Sequence, residues 1–255
     1  MKRVGIFGST GRVGQRLIEL LKGNSELKLT ILHAIEEFSF PVDKDIIITN
    51  DVNTLLNECD VVIEFSLPIG TEELLTAAID NPTAIVSGTT GLSSHQYNLM
   101  KEVSNQMPIL HATNMSLGVA LLNKLVETAS KTLIDFDIEI VEQHHRYKKD
   151  APSGTALTLA EHAAAGRGLD LDKVRVSGRN GDIGARTKDE IAVMALRGGD
   201  IVGRHTAGFY NEGEFLELNH TATNRDTFAK GAIRAASWVV KQENGLYKIT
   251  DCLGL

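Results

Sequence analysis

The sequence has few cysteines, and the two that it has cannot form a metal or disulfide framework. Cys59 and Cys252 lie far apart in the 255 residues, and neither has a second cysteine at short spacing. Zinc sites of the usual kind need closely spaced cysteines, and small disulfide-stapled domains need many more of them. We therefore expect no metal site and a reducing compartment, the cytoplasm, as the protein's location.

Long apolar runs and an excess of positive charge are also missing. Gly8 interrupts the apolar residues 4–7 before a signal-peptide core is complete, and no later apolar run has the length of a membrane span. The formal net charge is -7 at pH 7, whereas nucleic acids are bound mainly through clustered lysine and arginine. We expect a soluble protein that binds neither a membrane nor a nucleic acid.

What the chain does contain is hydrophobic sequence in an alternating pattern. Hydrophobic residues make up 42% of the chain, whose length allows one large domain or two intimate ones. Short β-branched runs alternate with longer stretches of helical period, which is typical of parallel strands joined by crossover helices. The predicted strands are residues 4–7, 27–33, 60–65, 84–87 and 109–112, and the predicted helices are 12–22, 70–80, 93–106 and 117–133.

A different pattern follows residue 133. The predicted elements there are a strand at 137–143, a helix at 155–165 and strands at 191–196, 201–209 and 215–222. Turn residues separate the last three strands, which we therefore expect to pair antiparallel with one another. A final amphipathic helix at 227–240 is compatible with a return to the first domain, although its period does not show where it docks. The expected fold class is α/β, with an N-terminal Rossmann dinucleotide-binding domain and an α+β C-terminal domain that has an open mixed sheet.

A glycine-rich loop, residues 8–14, follows the first predicted strand and opens the first helix. Its sequence is Gly8-Ser9-Thr10-Gly11-Arg12-Val13-Gly14. Small residues let the backbone approach a pyrophosphate, and the helix N-terminus offers N–H groups to its charge. The alternative is a turn without a ligand, but the N-terminal position and the alternating pattern favour a dinucleotide site.

The cofactor is not specified further by these residues. The spacing Gly-x-x-Gly-x-x-Gly departs from the commonest fingerprint, and the second strand ends in His33-Ala34 rather than in an acidic residue. Glu36 and Glu37 follow too late to take that place. Arg12 is either a ligand of a ribose phosphate or a solvated first-turn side chain. NADH and NADPH therefore both remain open.

A second glycine loop, Gly88-Thr89-Thr90-Gly91, follows the strand predicted at 84–87. The carboxyl ends of parallel strands open onto the ligand crevice of a wound sheet, so this loop is a candidate to hold the nicotinamide end. The alternative is a plain strand-to-helix turn with a serine cap.

The densest group of functional side chains lies in the middle of the chain. It reads Glu142-Gln143-His144-His145-Arg146-Tyr147-Lys148-Lys149-Asp150, followed by Ala151-Pro152-Ser153-Gly154-Thr155 at the start of a predicted helix. Positive potential and a helix N-terminus both favour an anionic small molecule. A proton donor would come from His144 or Lys148. The alternative is a solvated basic loop, and the helix start directly after it favours a functional site.

At these residues the sequence resembles the dihydrodipicolinate reductase family over essentially the whole chain. The most specific match is the block His-His-x-x-Lys-x-Asp-Ala-Pro-Ser-Gly-Thr that begins at His144. The other matching segments are the two glycine loops, Asn114-Met115-Ser116 and Arg197-Gly198-Gly199-Asp200-Ile201-Val202-Gly203. Met115 stands where some members have phenylalanine, which is expected to change packing near the nicotinamide more than chemistry.

The resemblance implies roles for individual residues. His144 and Lys148 are expected to act in proton donation, and the residues expected to bind the substrate's two carboxylates are His145, Ser153, Gly154 and Thr155. The residues expected to contact the cofactor are Gly8, Ser9, Thr10, Gly11, Arg12, Val13, Gly88, Thr89, Thr90, Ala112, Thr113, Asn114 and Met115.

The resemblance also implies a reaction and an assembly. The expected reaction is reduction of 4-hydroxy-tetrahydrodipicolinate, a small dicarboxylate, to tetrahydrodipicolinate by hydride from NADH or NADPH, in lysine biosynthesis by the diaminopimelate route. The expected assembly is a homotetramer joined through the sheet of the second domain. On this basis residues 1–115 and 225–255 form the dinucleotide-binding domain, and residues 116–224 serve substrate binding and oligomerisation.

Two other functions fit parts of the sequence. Tyr97 and Lys101 form a Tyr-x-x-x-Lys pair like that of short-chain dehydrogenases, although such an i, i+4 pair on one helix face arises easily by chance. A non-catalytic NAD(P)-binding redox sensor would use the glycine loop without turning over any small dicarboxylate. Separate replacement of Lys101 and Lys148 discriminates between the two enzyme hypotheses.

Overall fold

The alternating pattern of the N-terminal half folds into a parallel sheet with crossover helices, as predicted. The structure, a computed structural model, describes residues 1–224 and 226–255. Its contacts divide the chain into two compact units, Met1–Leu117 with Asp226–Leu255, and Gly118–Arg225. The predicted domain boundary at residue 225 lies outside the described residues.

The secondary structure follows the sequence closely in its long elements. The strands are β1 (Lys2–Phe7), β2 (Leu27–His33), β3 (Ile47–Thr49), β4 (Val61–Glu64), β5 (Ala84–Ser87), β6 (Pro108–His111), β7 (Asp137–His144), β8 (Arg175–Val176), β9 (Ile191–Arg197), β10 (Gly203–Asn211), β11 (Glu214–Ala222) and β12 (Gly245–Tyr247). The helices are α1 (Arg12–Leu21), α2 (Val52–Asn57), α3 (Pro68–Ala78), α4 (Ser94–Val103), α5 (Leu117–Thr132), α6 (Gly154–Arg167), α7 (Leu171–Val174) and α8 (Asp226–Val239), with a 3-10 helix at Asp251–Leu253.

The sheet of the first unit has the strand order β12-β6-β5-β4-β1-β2-β3, with parallel pairing throughout. Every residue of β4 and β5 is buried. Near-continuous apolar strands of this kind arise because helices cover both faces of a parallel sheet. The order reverses between β1 and β4, and ligands of open α/β sheets bind outside the carboxyl ends of the strands at such a point.

Helix α8 completes the first unit. It packs against α1 and against β4, β5 and β6. Arg16 of α1 pairs with Asp226 at the start of α8, with Nε to Oδ1 at 2.7 Å. The amphipathic helix near the C-terminus therefore belongs to the N-terminal unit, although most of the sequence lies between α1 and α8.

The sheet of the second unit is mixed, with the order β11-β10-β7-β9-β8. β10 pairs antiparallel with β7 and β11, whereas β9 pairs parallel with β7 and β8. The expected direct antiparallel pairing of β9 with β10 is wrong, because β7 lies between them. The residues after β9 cross the end of β7 instead, and Gly198 N–H donates to His144 O at 2.9 Å.

The core of the second unit lies between this sheet and α6. β7 alternates between partly exposed and buried residues along its whole length. Its buried residues Ile138 and Ile140 pack with Phe209 of β10 and with Leu159 of α6. The same face of β7 continues through Glu142 to His144, so the apolar core leads directly to buried polar side chains.

Candidate active site

The first glycine loop is built so that the backbone can approach closely. Gly8 has a φ of +82°, and a Cβ added there would lie 2.1 Å from Phe65 O. A Cβ at Gly14 would lie 2.4 Å from Gly8 O. Any other residue at either position would force the loop away from β4 or from α1. This tight cradle at the carboxyl end of β1 fits a dinucleotide pyrophosphate.

The remaining residues of this loop hold its shape and leave the helix start accessible. Ser9 is buried, and its Oγ donates to His33 O at 2.6 Å. Gln15 Nε2 donates to Thr10 O at 2.8 Å. Gly11 is the N-cap residue of α1 and provides no side-chain cap. The first-turn N–H groups, beginning at the exposed Arg12 and the half-buried Val13, are thus available to an anion.

The end of β2, where many dinucleotide sites carry an acidic residue, is occupied by a core side chain. His33 is 3% exposed and stacks on Phe7 with ring centroids 4.3 Å apart. Burial lowers its pKa, although its ring lies near Asn50 O. His33 therefore fills the space beneath the loop, and the first acidic side chain after β2 is the exposed Glu36.

The second glycine loop is organised by a buried carboxylate. Glu64, at the end of β4, accepts from Ser66 N–H at 2.8 Å, from Ser87 Oγ at 2.6 Å and from Thr89 Oγ1. A Cβ at Gly88 would lie 2.1 Å from the Phe65 ring. Thr89 is buried, whereas Thr90 is exposed. The network ties the ends of β4 and β5 together and fixes the loop that begins at Gly88.

The segment after β6 lies at the same edge of the sheet. Ala112 N–H donates to Ser87 O at 3.1 Å, which extends the pairing of β6 with β5 by one residue. Thr113 is exposed, Asn114 is half-buried and Met115 is buried. Asn114 Oδ1 accepts from Ser116 N–H at 2.9 Å, which forms a tight turn before α5. All the predicted cofactor-binding residues therefore follow the carboxyl ends of β1, β5 and β6.

In the second unit, Glu142 is a fully buried carboxylate with four hydrogen-bond donors. Arg197 holds it bidentately, with Nη1 2.8 Å from Oε2 and Nη2 2.8 Å from Oε1. His144 Nδ1 lies 2.6 Å from Oε2, and Ser153 N–H donates to Oε1 at 3.0 Å. Desolvation raises the pKa of Glu142, but hydrogen bonds from Arg197, His144 and Ser153 outweigh it and leave the pKa below its ordinary value.

A second buried imidazole lies beside His144. His205 is directly opposite Glu142 in the pairing of β10 with β7, and its ring centroid is 5.2 Å from that of His144. Burial is the main cause that lowers the pKa of His205 to about 4; the neighbouring His144, His220 and Lys148 lower it further, and Glu142 opposes them. His205 is therefore neutral at pH 7. Its Nε2 lies 3.1 Å from Ser153 Oγ.

The loop after β7 presents the remaining predicted residues. Lys148 Nζ donates to Asp150 Oδ1 at 2.8 Å, and the Lys148 side chain is 21% exposed. His145 N–H donates to Ile201 O at 2.7 Å, which anchors the loop to the segment before β10. Nδ1 of His145 is buried and has no hydrogen-bond partner among the described residues. The structure thus gathers His144, His145 and Lys148 at one end of the second sheet.

Helix α6 begins at this end of the sheet. Ser153 is its N-cap residue and accepts from Ala156 N–H at 3.3 Å, which together with the contact to His205 commits its hydroxyl to the protein. Gly154 is exposed, and a Cβ there would meet nothing within 4 Å. Thr155 follows in the first turn and is half-buried. The N-terminus of a helix favours an anionic group such as a carboxylate.

Three site residues were given no role by the sequence: Glu142, Arg197 and His205. Glu142 and His144 are two residues apart on a strand and therefore share a face, a signal that was present in the alternation of β7. Arg197 is opposite His144 in the pairing of β7 with β9. This register joins residues that are far apart in the sequence, so no local pattern indicates it. No local pattern brings β9 and β10 to the two sides of β7.

Comparison with protein-family models gives a match over nearly the whole chain. Residues 2–115 match the model for the N-terminus of dihydrodipicolinate reductase. Residues 118–253 match the model for the C-terminus of the same enzyme.

Curated relatives and solved structures agree with these matches. The chain is 64% identical to the 4-hydroxy-tetrahydrodipicolinate reductase of a Sulfurovum species, over 100% of both chains. It is also 64% identical to the enzyme of that name from Sulfurimonas denitrificans, over 99% of each chain. Dipicolinate-bound dihydrodipicolinate reductase from a Paenisporosarcina species has the same fold, with a TM-score of 0.82, 23% identity and 97% coverage of both chains.

Proposed function

The chain belongs to the dihydrodipicolinate reductase family and reduces 4-hydroxy-tetrahydrodipicolinate with a nicotinamide dinucleotide, and we propose from this premise how its residues divide the work. The glycine cradle at Gly8 and Gly14 is proposed to hold the pyrophosphate. The loops at Gly88–Thr90 and Ala112–Met115 are proposed to hold the nicotinamide end. The close approach that Gly8 permits supports the first assignment, and the shared sheet edge supports the second.

The bound dinucleotide supplies the hydride, and the protein must supply the proton. His144 and Lys148 are the proposed donors. His144 is held by Glu142 through Nδ1, which leaves Nε2 as the atom that carries a proton to the substrate. Lys148 is partly exposed, and its Nζ donates to Asp150 Oδ1 at 2.8 Å. The pairing of His144 with a buried carboxylate is the observation on which this proposal rests.

The two carboxylates of the substrate are assigned to the start of α6 and to His145. The first-turn N–H groups at Gly154 and Thr155 point along a helix dipole that favours an anion. Ser153 shapes this corner as the helix cap, since its hydroxyl contacts Ala156 N–H and His205. The buried Nδ1 of His145 has no hydrogen-bond partner among the described residues. This supports a role for the ring in binding an anionic ligand.

The test of this assignment replaces two lysines separately. Wild-type protein should consume NADH or NADPH, followed by the absorbance of the reduced nicotinamide, when the product of dihydrodipicolinate synthase is the substrate. Lys148→Ala should lower kcat on the order of 100-fold or more, the usual contribution of a positioned proton donor. Lys101→Ala is the matched control, because Lys101 is an exposed residue of α4 and should leave kcat within about 2-fold. Loss of turnover only with Lys101→Ala would overturn the assignment.

Cofactor choice, assembly and location extend the same proposal. The exposed Arg12 and the missing acidic residue after β2 permit either NADH or NADPH, so both are used in the assay. A homotetramer joined through the second sheet is proposed from the partly exposed side chains on its face away from α6, which include Leu196 and Phe215. A cytoplasmic location is proposed because Cys59 and Cys252 are both unpaired thiols.

A further inference from the structure

Glu142 occupies a place in the second unit where only an ionised carboxylate is satisfied. Both oxygens face donors that cannot act as acceptors, namely the two terminal nitrogens of Arg197 and the backbone N–H of Ser153. A carboxylate accepts hydrogen bonds and donates none. The fourth contact, 2.6 Å from Oε2 to His144 Nδ1, therefore has the hydrogen on the imidazole side.

This contact determines which nitrogen of His144 can react. A neutral imidazole carries one hydrogen, so a hydrogen fixed on Nδ1 leaves Nε2 as an acceptor. After protonation Nε2 carries the second hydrogen. Of the two ring hydrogens, the one on Nε2 can be transferred without breaking the bond to Glu142. Proton transfer by His144 thus takes place at Nε2.

The space around Nε2 is kept open by a glycine. A Cβ added to Gly203 would lie 3.1 Å from His144 Nε2 and 3.5 Å from Cδ2. Gly203 is the first residue of β10 and its backbone does not need the left-handed conformation. Clearance beside His144 is therefore the reason that the structure gives for a glycine at this position.

Arg197 neutralises the charge of Glu142 and holds the pair formed by Glu142 and His144 in place. Its guanidinium balances the charge of Glu142, so the imidazole is oriented by a carboxylate without also being its sole counter-ion. Nη2 of Arg197 also donates to Asp150 O at 2.6 Å, and Nη1 donates to Leu196 O at 2.7 Å. These bonds fix the guanidinium to β9 through Leu196 and to the loop after β7 through Asp150.

We propose that Glu142, held by Arg197, is a positioning residue that fixes the Nδ1–H tautomer of His144 and so directs Nε2 to the substrate. The proposal deepens the proposed function and rests on the role given there to His144. Glu142 itself does not contact the reacting atoms. Its contribution is the orientation and tautomer of the residue that does, as in other pairs of a carboxylate and a histidine.

The first test removes the charge from Glu142 and measures the tautomer directly. In Glu142→Gln, the new amide can donate to Nδ1, so the ¹⁵N shifts of His144 in the enzyme without substrate should change from the Nδ1–H to the Nε2–H form. The kcat should fall on the order of 10- to 100-fold with KM nearly unchanged, because the lost interaction acts on the transition state. Glu139→Gln, which removes an arginine-paired carboxylate from the other face of β7, should change neither the tautomer nor kcat.

A second pair of variants keeps the proposal testable if Glu142→Gln does not fold. Glu142→Asp retains the charge for Arg197 but withdraws the carboxylate from His144, and should therefore lower kcat. Glu142→Asp combined with His144→Ala should be no slower than His144→Ala alone. An unchanged His144 tautomer and an unchanged kcat in Glu142→Asp would overturn the positioning role. Full kcat in His144→Ala would instead overturn the proposed function, so the two failures are distinguishable.

Discussion

At the scale of single residues, the two buried carboxylates are stabilised in different ways. Glu142 has a guanidinium, an imidazole and a backbone N–H, whereas the donors to Glu64 are the hydroxyls of Ser66, Ser87 and Thr89 and a backbone N–H. Leaving any of these donors unpaired in the interior would cost about 1 to 3 kcal/mol. Each carboxylate therefore fixes the chain segments that supply its donors, at the strand ends where the site is built.

His205 makes the stability of the protein depend on pH in a defined window. Its pKa is lowered by burial to about 4, whereas an unfolded histidine titrates near 6.5, so the unfolded state binds more protons between these values. Stability from the neutral ring is fully present above pH 6.5 and is lost as the pH falls towards 4. The loss amounts to about 3 kcal/mol in the free energy of unfolding.

Denaturant unfolding at a series of pH values checks this prediction. His33, His111 and His220 also have pKa values lowered by burial, so the wild-type slope includes them. The difference between wild type and His205→Gln isolates the one ring, and the variant should have a shallower slope between pH 6.5 and 4. His95→Gln, at a site whose side chain is 78% exposed, should follow the wild-type slope. Equal slopes for wild type and His205→Gln would contradict the account.

At the scale of elements, the close packing of α8 against the segment before α5 can be tested. A Cβ added to Gly231 of α8 would lie 1.7 Å from Met115 O, so Gly231→Ala must displace that segment. Alanine in an open helix position would stabilise by about 1 kcal/mol, and here we expect a loss of about 1 to 3 kcal/mol instead.

The displaced segment is proposed to contact the nicotinamide, so Gly231→Ala should also weaken binding of NADH and NADPH, measured by fluorescence titration. The control is Lys230→Ala, one residue earlier on the exposed side of α8, which should leave both stability and cofactor binding close to wild type. An increased or unchanged free energy of unfolding in Gly231→Ala would show that the helix can move without cost.

The elements also show what a single sequence can and cannot predict. Strands such as β4 and β5 are confirmed because a buried parallel strand is a continuous apolar run. The short β3 and β8 have no pattern of their own and form only by pairing with β2 and β9. The predicted pairing of β9 with β10 is wrong, because turn residues indicate where a strand ends but not which strand lies beside it.

At the scale of the whole molecule, fold class and family were predictable for different reasons. The change from alternating helices and strands to successive strands gave the two kinds of sheet, as periodicity allows. The family came from a specific block of residues that begins at His144, and the relatives confirm it. The contacts of Glu142 with Arg197 and of Ser153 with His205 could not be predicted, because they depend on strand register across β7, β9 and β10.

The proposed reaction requires one dicarboxylate site and one dinucleotide site that act on the same molecule of substrate. The most direct measurement is a crystal structure of the protein with a reduced nicotinamide dinucleotide and dipicolinate. We predict a dipicolinate carboxylate bonded to N–H groups of the first turn of α6 at Gly154, His144 Nε2 and Lys148 Nζ directed at the ring, and the nicotinamide against the ring's face. Dipicolinate bound elsewhere, or His144 and Lys148 remote from the nicotinamide, would contradict the account.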